Sequence, residues 1–218
     1  YSGMTPGYIE KFYSLKDISI DLQRLCFNAG ATFIKDIVIN LDTQNQKVYL
    51  KDNPSVSFDI LSINSGSISN NLNINFNNES KVIPVKPIGS LVSNLSTIDD
   101  LVKKSYQKKV SIVGGGVAAF ELSFALYERY NGNISLNIIS SSLLAEKNLN
   151  ISTINKLKKI ANNLGINLIS NKVISINSSE IALDNNDKIQ SDCVLLSTGA
   201  ALPDWLEKSD LEKTENFI

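Results

Sequence analysis

The densest chemistry in the chain lies in Val110-Ser111-Ile112-Val113-Gly114-Gly115-Gly116-Val117-Ala118-Ala119-Phe120-Glu121. Gly114, Gly116 and Ala119 fill a G-x-G-x-x-G/A spacing, with Gly115, Val117 and Ala118 between them. The chemistry this spacing serves is anion binding. Gly114 permits a tight turn out of a strand, and Gly116 leaves room for backbone to approach a pyrophosphate. Ala119 lets the following helix lie close to that strand. A helix beginning near Val117 then aims backbone N–H groups and a partial positive charge at the phosphates. The competing reading is a glycine-rich turn that only packs. The strand before it and the apolar helix after it favour the nucleotide reading.

Two neighbouring positions qualify that reading. A carboxylate for a ribose diol is expected about 20 residues on, at the end of the next strand. That place is held by Ser140-Ser141-Ser142, with neither an acid nor an Arg, so Ser140 is the candidate contact and the choice between NAD and NADP stays open. Glu121 falls in the second turn of an apolar helix, where a carboxylate is costly to bury without a partner. It reads equally as a solvated edge position, a satisfied buried acid or a cofactor contact.

The elements that must hold this turn follow from periodicity. Lys108–Val113 predicts a strand, Val117–Tyr130 a helix, Ile134–Ile139 a strand, and Thr153–Asn163 a helix capped near Ser152 and stopped at Gly165. Short strands are expected at Ile166–Ser170, Val173–Ile176 and Ile181–Leu183, with a buried one at Cys193–Ser197. Strand–helix–strand alternation of this kind means crossover units in a parallel sheet. The first half predicts a helix over Ile18–Ala29 and strands at Phe33–Leu41, Lys47–Leu50 and Phe58–Ile63, with a hairpin corner at Gln44-Asn45. A second helix is expected over Ile88–Tyr106. Asn70–Ser80 is Asn-rich, yet Leu72, Ile74 and Phe76 alternate with polar residues, so it reads as a surface insertion that permits one edge strand.

Composition excludes several function classes. The chain has 218 residues, 43% apolar and 20% charged, with a net charge of −1. That balance gives no electrostatic footprint for nucleic acid, and the largest basic clusters are the pairs Lys103-Lys104 and Lys108-Lys109. No His and two distant cysteines, Cys26 and Cys193, exclude His-based catalysis, the usual zinc sites and a CxxC dithiol. No metal site is expected, and no catalytic side chain stands out. Val110–Tyr127 is long and apolar, but its three glycines and Glu121 argue against a transmembrane segment. No signal peptide is apparent at Tyr1, and a reducing, cytoplasmic setting fits the cysteine usage. The start without Met and the stop at Ile218 predict a piece of a larger protein.

Two strand ends share a plan: Phe58-Asp59-Ile60-Leu61-Ser62-Ile63-Asn64-Ser65-Gly66-Ser67 and Asp192-Cys193-Val194-Leu195-Leu196-Ser197-Thr198-Gly199. Each runs from Asp through an apolar stretch to small polar residues and Gly. With the Gly114–Glu121 turn between them and Ala200-Ala201-Leu202-Pro203 after, the chain resembles the two-dinucleotide-fold flavoprotein reductases, the pyridine nucleotide–disulfide oxidoreductase superfamily. Within them it is most similar to the type II NADH dehydrogenase-like branch. Tyr1–Gly7, Ile20–Leu25 and Ile83–Pro87 resemble more narrowly the reductase-like domain found fused to selenide, water dikinase.

The resemblance implies an α/β, Rossmann-like flavoprotein fold of two dinucleotide-binding domains, with the FAD domain incomplete. Residues 1–100 would be part of the FAD-binding domain, 101–203 the NAD(P)-binding domain, and 204–218 a return segment toward the first. It implies an FAD-dependent enzyme in which NAD(P)H delivers hydride to the flavin, for an acceptor such as a quinone or a selenium or sulfur species. Glu121 would face the nicotinamide end and Gly199 the return into the flavin domain. Val38 would offer backbone to the adenine of FAD, and Ser65 and Gly66 would lie along the flavin nucleotide. Lys86 reads either as a flavin-side contact or as a solvated loop lysine. The superfamily's amino-terminal glycine turn for FAD and its later Gly-Asp segment are absent, so this stretch is expected to bind FAD poorly on its own. No paired cysteines exist for a disulfide relay. Peripheral membrane attachment of the parent protein stays open. A second reading is a non-catalytic nucleotide-sensing module attached to a partner enzyme. A third, a short-chain dehydrogenase, would need a Tyr-x-x-x-Lys pair, and no Tyr follows Tyr130.

Overall fold

The computed structural model describes residues 1–70, 74–77, 79–104, 107–144 and 149–213. Leu72, Tyr106 and the end of the 204–218 segment, all invoked above, lie outside the described residues. In chain order the elements open with α1 (Thr5–Ile9), α2 (Leu22–Asn28), β1 (Val38–Asp42), β2 (Lys47–Leu50) and β3 (Val56–Ser57). Next come β4 (Ile68–Ser69), β5 (Asn75–Phe76), β6 (Val82–Pro84), α3 (Ile88–Lys104), β7 (Lys108–Val113), α4 (Val117–Arg129) and β8 (Ile134–Ile139). The chain closes with α5 (Ile151–Asn163), β9 (Asn167–Ile169), β10 (Val173–Ile176), β11 (Glu180–Leu183), β12 (Lys188–Gln190), β13 (Cys193–Leu196), β14 (Ala200–Ala201) and α6 (Asp204–Glu207). The chain forms two compact units. One takes Tyr1–Ile18 and Ser69–Gly199, the other Ser19–Ile68 and Ala200–Ile218.

The first unit is built on a five-stranded sheet in the order β6-β13-β7-β8-β9. Every pairing in it is parallel. Alternation along each strand sends side chains to two different cores. Val110, Ile112, Leu136, Ile138, Cys193 and Leu195 pack with the helices, where Leu91, Leu95 and Ile98 of α3 recur at helical spacing. Val113, Ile139, Val194 and Leu196 face the other way and join Val173, Ile176, Ile181 and Leu183. Those last four belong to a second sheet, β12-β11-β10-β5. Its antiparallel strands close the layer, and the Asn-rich segment contributes the edge strand β5, paired parallel to β10.

Polar side chains fix this unit where its elements meet. Asp192 accepts from Lys109 N at 2.9 Å and from Lys108 Nζ at 3.1 Å, anchoring the start of β13 to β7. Asn137 donates to Ser111 Oγ at 3.1 Å and accepts from Asn167 at 3.0 Å, a polar ladder across β7, β8 and β9. Arg129 donates to both carboxylate oxygens of Asp99 at 2.9 and 2.6 Å and to the Ile9 carbonyl at 2.7 Å, while Tyr130 donates to Asp99 at 2.9 Å. One half-buried cluster therefore ties α1, α3 and α4 together.

The second unit carries the antiparallel sheet β1-β2-β3, whose hairpin closes with Asp42 opposite Lys47. Asp42 accepts from Asn45 N at 2.9 Å and Asn45 Nδ2 at 2.8 Å, which accounts for the expected Gln44-Asn45 corner. Thr43 donates to Asp210 at 2.6 Å, joining the 204–213 stretch to the hairpin.

Several expectations are corrected here. Residues 33–37 are not strand; β1 begins at Val38. Phe58–Ile63 is not strand either, and the hairpin's third strand is Val56–Ser57. Ile60 is 92% exposed, so the apolar run does not mark a buried strand, and the shared plan of two strand ends fails for the first of them. The first helix starts at Leu22 because Asp21 accepts from Arg24 N at 3.0 Å and caps it. α5 is capped two residues earlier than expected, by Asn150 accepting from Thr153 N at 2.8 Å, rather than near Ser152. The hairpin strand β12 was not anticipated.

Candidate functional site

Five parallel strands deliver five connections to one edge of the sheet, and those connections line a cavity of about 780 Å³. Val85 and Lys86 follow β6, and Ser197, Thr198 and Gly199 follow β13. Gly114–Gly116 follow β7, Ser140–Ser142 follow β8, and Asn171–Val173 follow β9. This is where ligands sit in open α/β sheets, beyond the carboxyl ends of the strands. The volume lies in the range of nucleotide-sized sites. With strands about 4.8 Å apart, the site spans roughly 19 Å from β6 to β9.

The glycine turn sits at its centre, held by backbone bonds. Gly114 N donates to Ile139 O at 2.9 Å, and Ser197 N donates to Val113 O at 2.8 Å. Gly114 has φ +139°, and a Cβ there would stand 2.2 Å from the Ser197 carbonyl oxygen. At Gly115 a Cβ would meet Ser142 O at 2.4 Å and Ser140 Oγ at 2.6 Å. Both glycines are therefore required by the protein's own backbone, through the close approach of β13 and of the β8–α5 connection. Leu144 N donates to Gly115 O at 2.7 Å, and Ser142 N to Ser140 Oγ at 3.2 Å, seating that connection on the turn.

Gly116 is the N-cap of α4 and supplies no side-chain cap, and the first turn carries no acid. By contrast, α2 and α5 are capped by side-chain oxygens of Asp21 and Asn150. Among the described residues, the first turn of this 13-residue helix therefore carries a partial positive charge with no acid of its own. The cavity lining agrees in sign: it includes Lys86 and Lys172 and no carboxylate. Neither ammonium is in an ion pair among the described residues. Lys86 has its backbone pinned by Ser69, whose hydroxyl accepts from Lys86 N at 3.1 Å and donates to Lys86 O and Leu196 O at 3.3 Å each. Apolar Val113, Ile139, Val173 and Leu196, all buried, form the cavity floor. A glycine cradle, a helix N-terminus, hydroxyls and two lysines suit a dinucleotide pyrophosphate.

Of the residues expected at a site, Gly114, Gly115, Gly116, Ala118, Ser140, Gly199 and Lys86 line this cavity. Ala119 is fully buried against the sheet, as its packing role requires, and Val117 is the first residue of α4. Glu121 is exposed and is not part of the lining. Val38, at the start of β1, and Ser65 and Gly66, in an irregular exposed stretch where Gly66 has φ +74°, belong to the second unit and line no part of it. Sequence reasoning missed Lys172. No spacing rule points to it, because it reaches the site from β9, the strand beside β8. Cys193 is fully buried on the helix side of the sheet, where burial pushes its thiol up to about 12, so no reactive thiol is offered there.

A family model described as pyridine nucleotide-disulphide oxidoreductase matches residues 12–218. No curated protein sequence matches. Among solved structures, the chain is similar to the water-forming NADH oxidase from Lactobacillus brevis bound to NADH, with TM-score 0.80 and 16% identity over 99% of this chain and 49% of that one. An engineered mutant of that oxidase, a water-forming NADPH oxidase bound to NADPH, gives TM-score 0.78 and 19% identity, again over 99% and 49%. NDH2 from Plasmodium falciparum in complex with NADH gives TM-score 0.80 and 18% identity over 95% and 49%. At these identities the likeness establishes the fold. The chain spans about half the length of each of these three structures.

Proposed function

Since the chain belongs to the pyridine nucleotide-disulphide oxidoreductase family, we propose that its five-stranded unit holds the nicotinamide dinucleotide of an FAD-dependent NAD(P)H oxidoreductase. The observation that carries this reading is the cavity at the carboxyl edge of the parallel sheet, with the glycine turn at its centre and, among the described residues, two lysines without an ion pair and no acid in its lining. The family, and the NADH- and NADPH-bound structures of the same fold, support FAD and NAD(P)H as the cofactors.

In this reading the dinucleotide supplies a hydride and the flavin accepts it. The chain's own residues do the positioning. Gly114–Gly116 and the start of α4 hold the pyrophosphate by backbone N–H groups and the helix dipole. The end of β8 lies next along the sheet and would hold the adenosine ribose, leaving Gly199 and Lys86, after β13 and β6, to hold the nicotinamide end; Gly199 has no side chain, and a Cβ added at it would meet no atom within 4 Å. Val38, Ser65 and Gly66 are proposed to contact FAD, and Glu121 to lie toward the nicotinamide side. Residues 1–100, 101–203 and 204–218 are proposed as FAD-binding, NAD(P)-binding and return segments.

The acceptor is proposed to be a small oxidant, a quinone or a selenium or sulfur species. Fusion to selenide, water dikinase is proposed from Tyr1–Gly7 and Pro84–Pro87. A cytoplasmic setting is proposed from the cysteine usage; among the described residues no helix is long and apolar enough to cross a membrane.

The test is the visible spectrum of the full-length protein purified without added cofactor, followed anaerobically on adding NADH and then NADPH. Bound flavin that bleaches is the expected result. Flavin that stays oxidised with both would sink hydride transfer and favour the nucleotide-sensing module.

A further inference from the structure

The cavity is asymmetric along its length. Where a carboxylate would recognise an unphosphorylated ribose diol, the end of β8 offers Ser140, Ser141 and Ser142. The two last are exposed, so their hydroxyls are available to a ligand. β9 pairs parallel with β8, Ile139 opposite Ile169, and Ser140 N donates to Ile169 O at 3.0 Å. The residues that follow both strands are therefore neighbours at the same end of the site. Asn171 and Lys172 stand there in the lining, and the Lys172 ammonium has no ion-pair partner among the described residues.

Among the described residues, one acid approaches this corner. Asp184 accepts from Asn171 Nδ2 and from Lys172 N, each at 3.2 Å, and donates its own N–H to Lys172 O at 3.0 Å. Its carboxylate is engaged by the backbone of the turn, is absent from the cavity lining, and holds the Asn171–Lys172 turn in shape. A cation, three hydroxyl-bearing residues and no carboxylate in the lining form the reverse of a diol-recognising site. A phosphate monoester on the ribose would meet charge-assisted hydrogen bonds here, whereas a bare 2′-hydroxyl would leave the Lys172 charge without a counterpart.

We propose that this cavity selects a 2′-phosphorylated dinucleotide, NADPH over NADH, and that Lys172 sets the preference with Ser141 and Ser142. The proposal rests on the nucleotide site described above. It accounts for the missing ribose acid, which would otherwise favour a site of lower specificity.

Titration calorimetry of the protein with 2′,5′-ADP and with 5′-AMP, which differ by the 2′-phosphate alone, tests it without any redox turnover. The unaltered protein is expected to bind 2′,5′-ADP about tenfold more tightly, the size of one charge-assisted contact. That gap should narrow as salt is added, because the corner is exposed. Lys172→Gln should bring the two affinities together with little change for 5′-AMP. Ser141→Asp, which adds a like charge to the 2′-phosphate, should reverse their order. Lys159→Gln, an exposed change on α5, should leave the ratio alone. Equal binding of the two ligands, or a ratio that survives Lys172→Gln, overturns the proposal while leaving the nucleotide site intact. A ratio lost equally in Lys159→Gln also overturns it, as a general charge effect. Failure of both ligands to bind overturns the nucleotide site itself.

Discussion

Gly114 is the position at which the geometry makes its hardest demand. In Gly114→Ala the new Cβ would stand 2.2 Å from Ser197 O and 2.5 Å from Ser197 C, against 3.4 Å for ordinary contact. The exits of β7 and β13 must therefore part by about 1.2 Å, the difference between those distances. The Ser197 N–Val113 O bond, 2.8 Å long, spans that gap and cannot survive the move. Its loss costs about 1 kcal/mol, and a side chain at φ +139° adds roughly 1–3 kcal/mol of backbone strain. Lost packing of Val113 and Leu196 beside the gap brings the total to about 3–5 kcal/mol, less ~0.4–1 kcal/mol returned through the restricted unfolded chain. Urea denaturation measures this directly. Gly199→Ala is the reference, because its Cβ would meet no atom within 4 Å and its φ is not positive. The expected result is a midpoint far below that of Gly199→Ala, with weakened nucleotide binding. A Gly114→Ala midpoint matching that of Gly199→Ala would refute the close-approach argument.

Two further outcomes follow from buried groups. Burial opposes ionisation of Asp99, but hydrogen bonds from Arg129 and Tyr130 outweigh it and hold the carboxyl below its ordinary range. A depressed folded pKa contributes stability that is complete above the ordinary value of 3.8 and is lost as pH falls through the lower folded value. Asp99→Asn should cost about 2–3 kcal/mol at neutral pH and flatten the acid limb of a melting-temperature profile below pH ~4; an unchanged acid limb would show that other carboxylates govern it. The Cys193 thiol, raised to about 12 by burial, should react with a thiol reagent at pH 8 only as fast as the protein opens, so that added denaturant speeds its labelling. Labelling of Cys193 at the rate of a free thiol would contradict its burial.

How much of this was readable beforehand varies with the distance over which each feature is determined. β7 and β8 lie within the expected bounds because continuous apolar runs flanked by a glycine turn or polar residues have one good solution, a strand buried on both faces. Lys47–Leu50 was legible from the turn chemistry beside it. Phe33–Ile37 and Phe58–Ile63 misled because β-branched and apolar composition marks a tendency, whereas a strand also needs a partner for its N–H and C=O groups. Ile37, whose N–H goes to Asp36 Oδ1 at 2.6 Å, and Ile60, 92% exposed, belong to no strand among the described residues. The glycine spacing pointed to this cavity and read Gly114 as a turn former; what it could not contain is that the atoms nearest an added Cβ at Gly114 and Gly115 belong to Ser197, Ser140 and Ser142. Lys172 was illegible for a related reason: its place beside Ser140 is created by the β8–β9 pairing, a tertiary fact that no count of residues contains.

The first unit interrupts the second. Residues 19–68 and 200–213 must find each other across roughly 130 residues of intervening chain, for which loop closure costs on the order of 4 kcal/mol. Yet Asn70 N donates to Gly199 O at 3.2 Å, so the folded insertion brings its own ends within a hydrogen bond. To the outer unit it then behaves as a tight turn, and about 3 kcal/mol of that closure entropy disappears. The covalent chain thereby links the stabilities of the two units. The inner one can order as soon as Gly199 has been synthesised, and the outer one inherits a loop that is already closed.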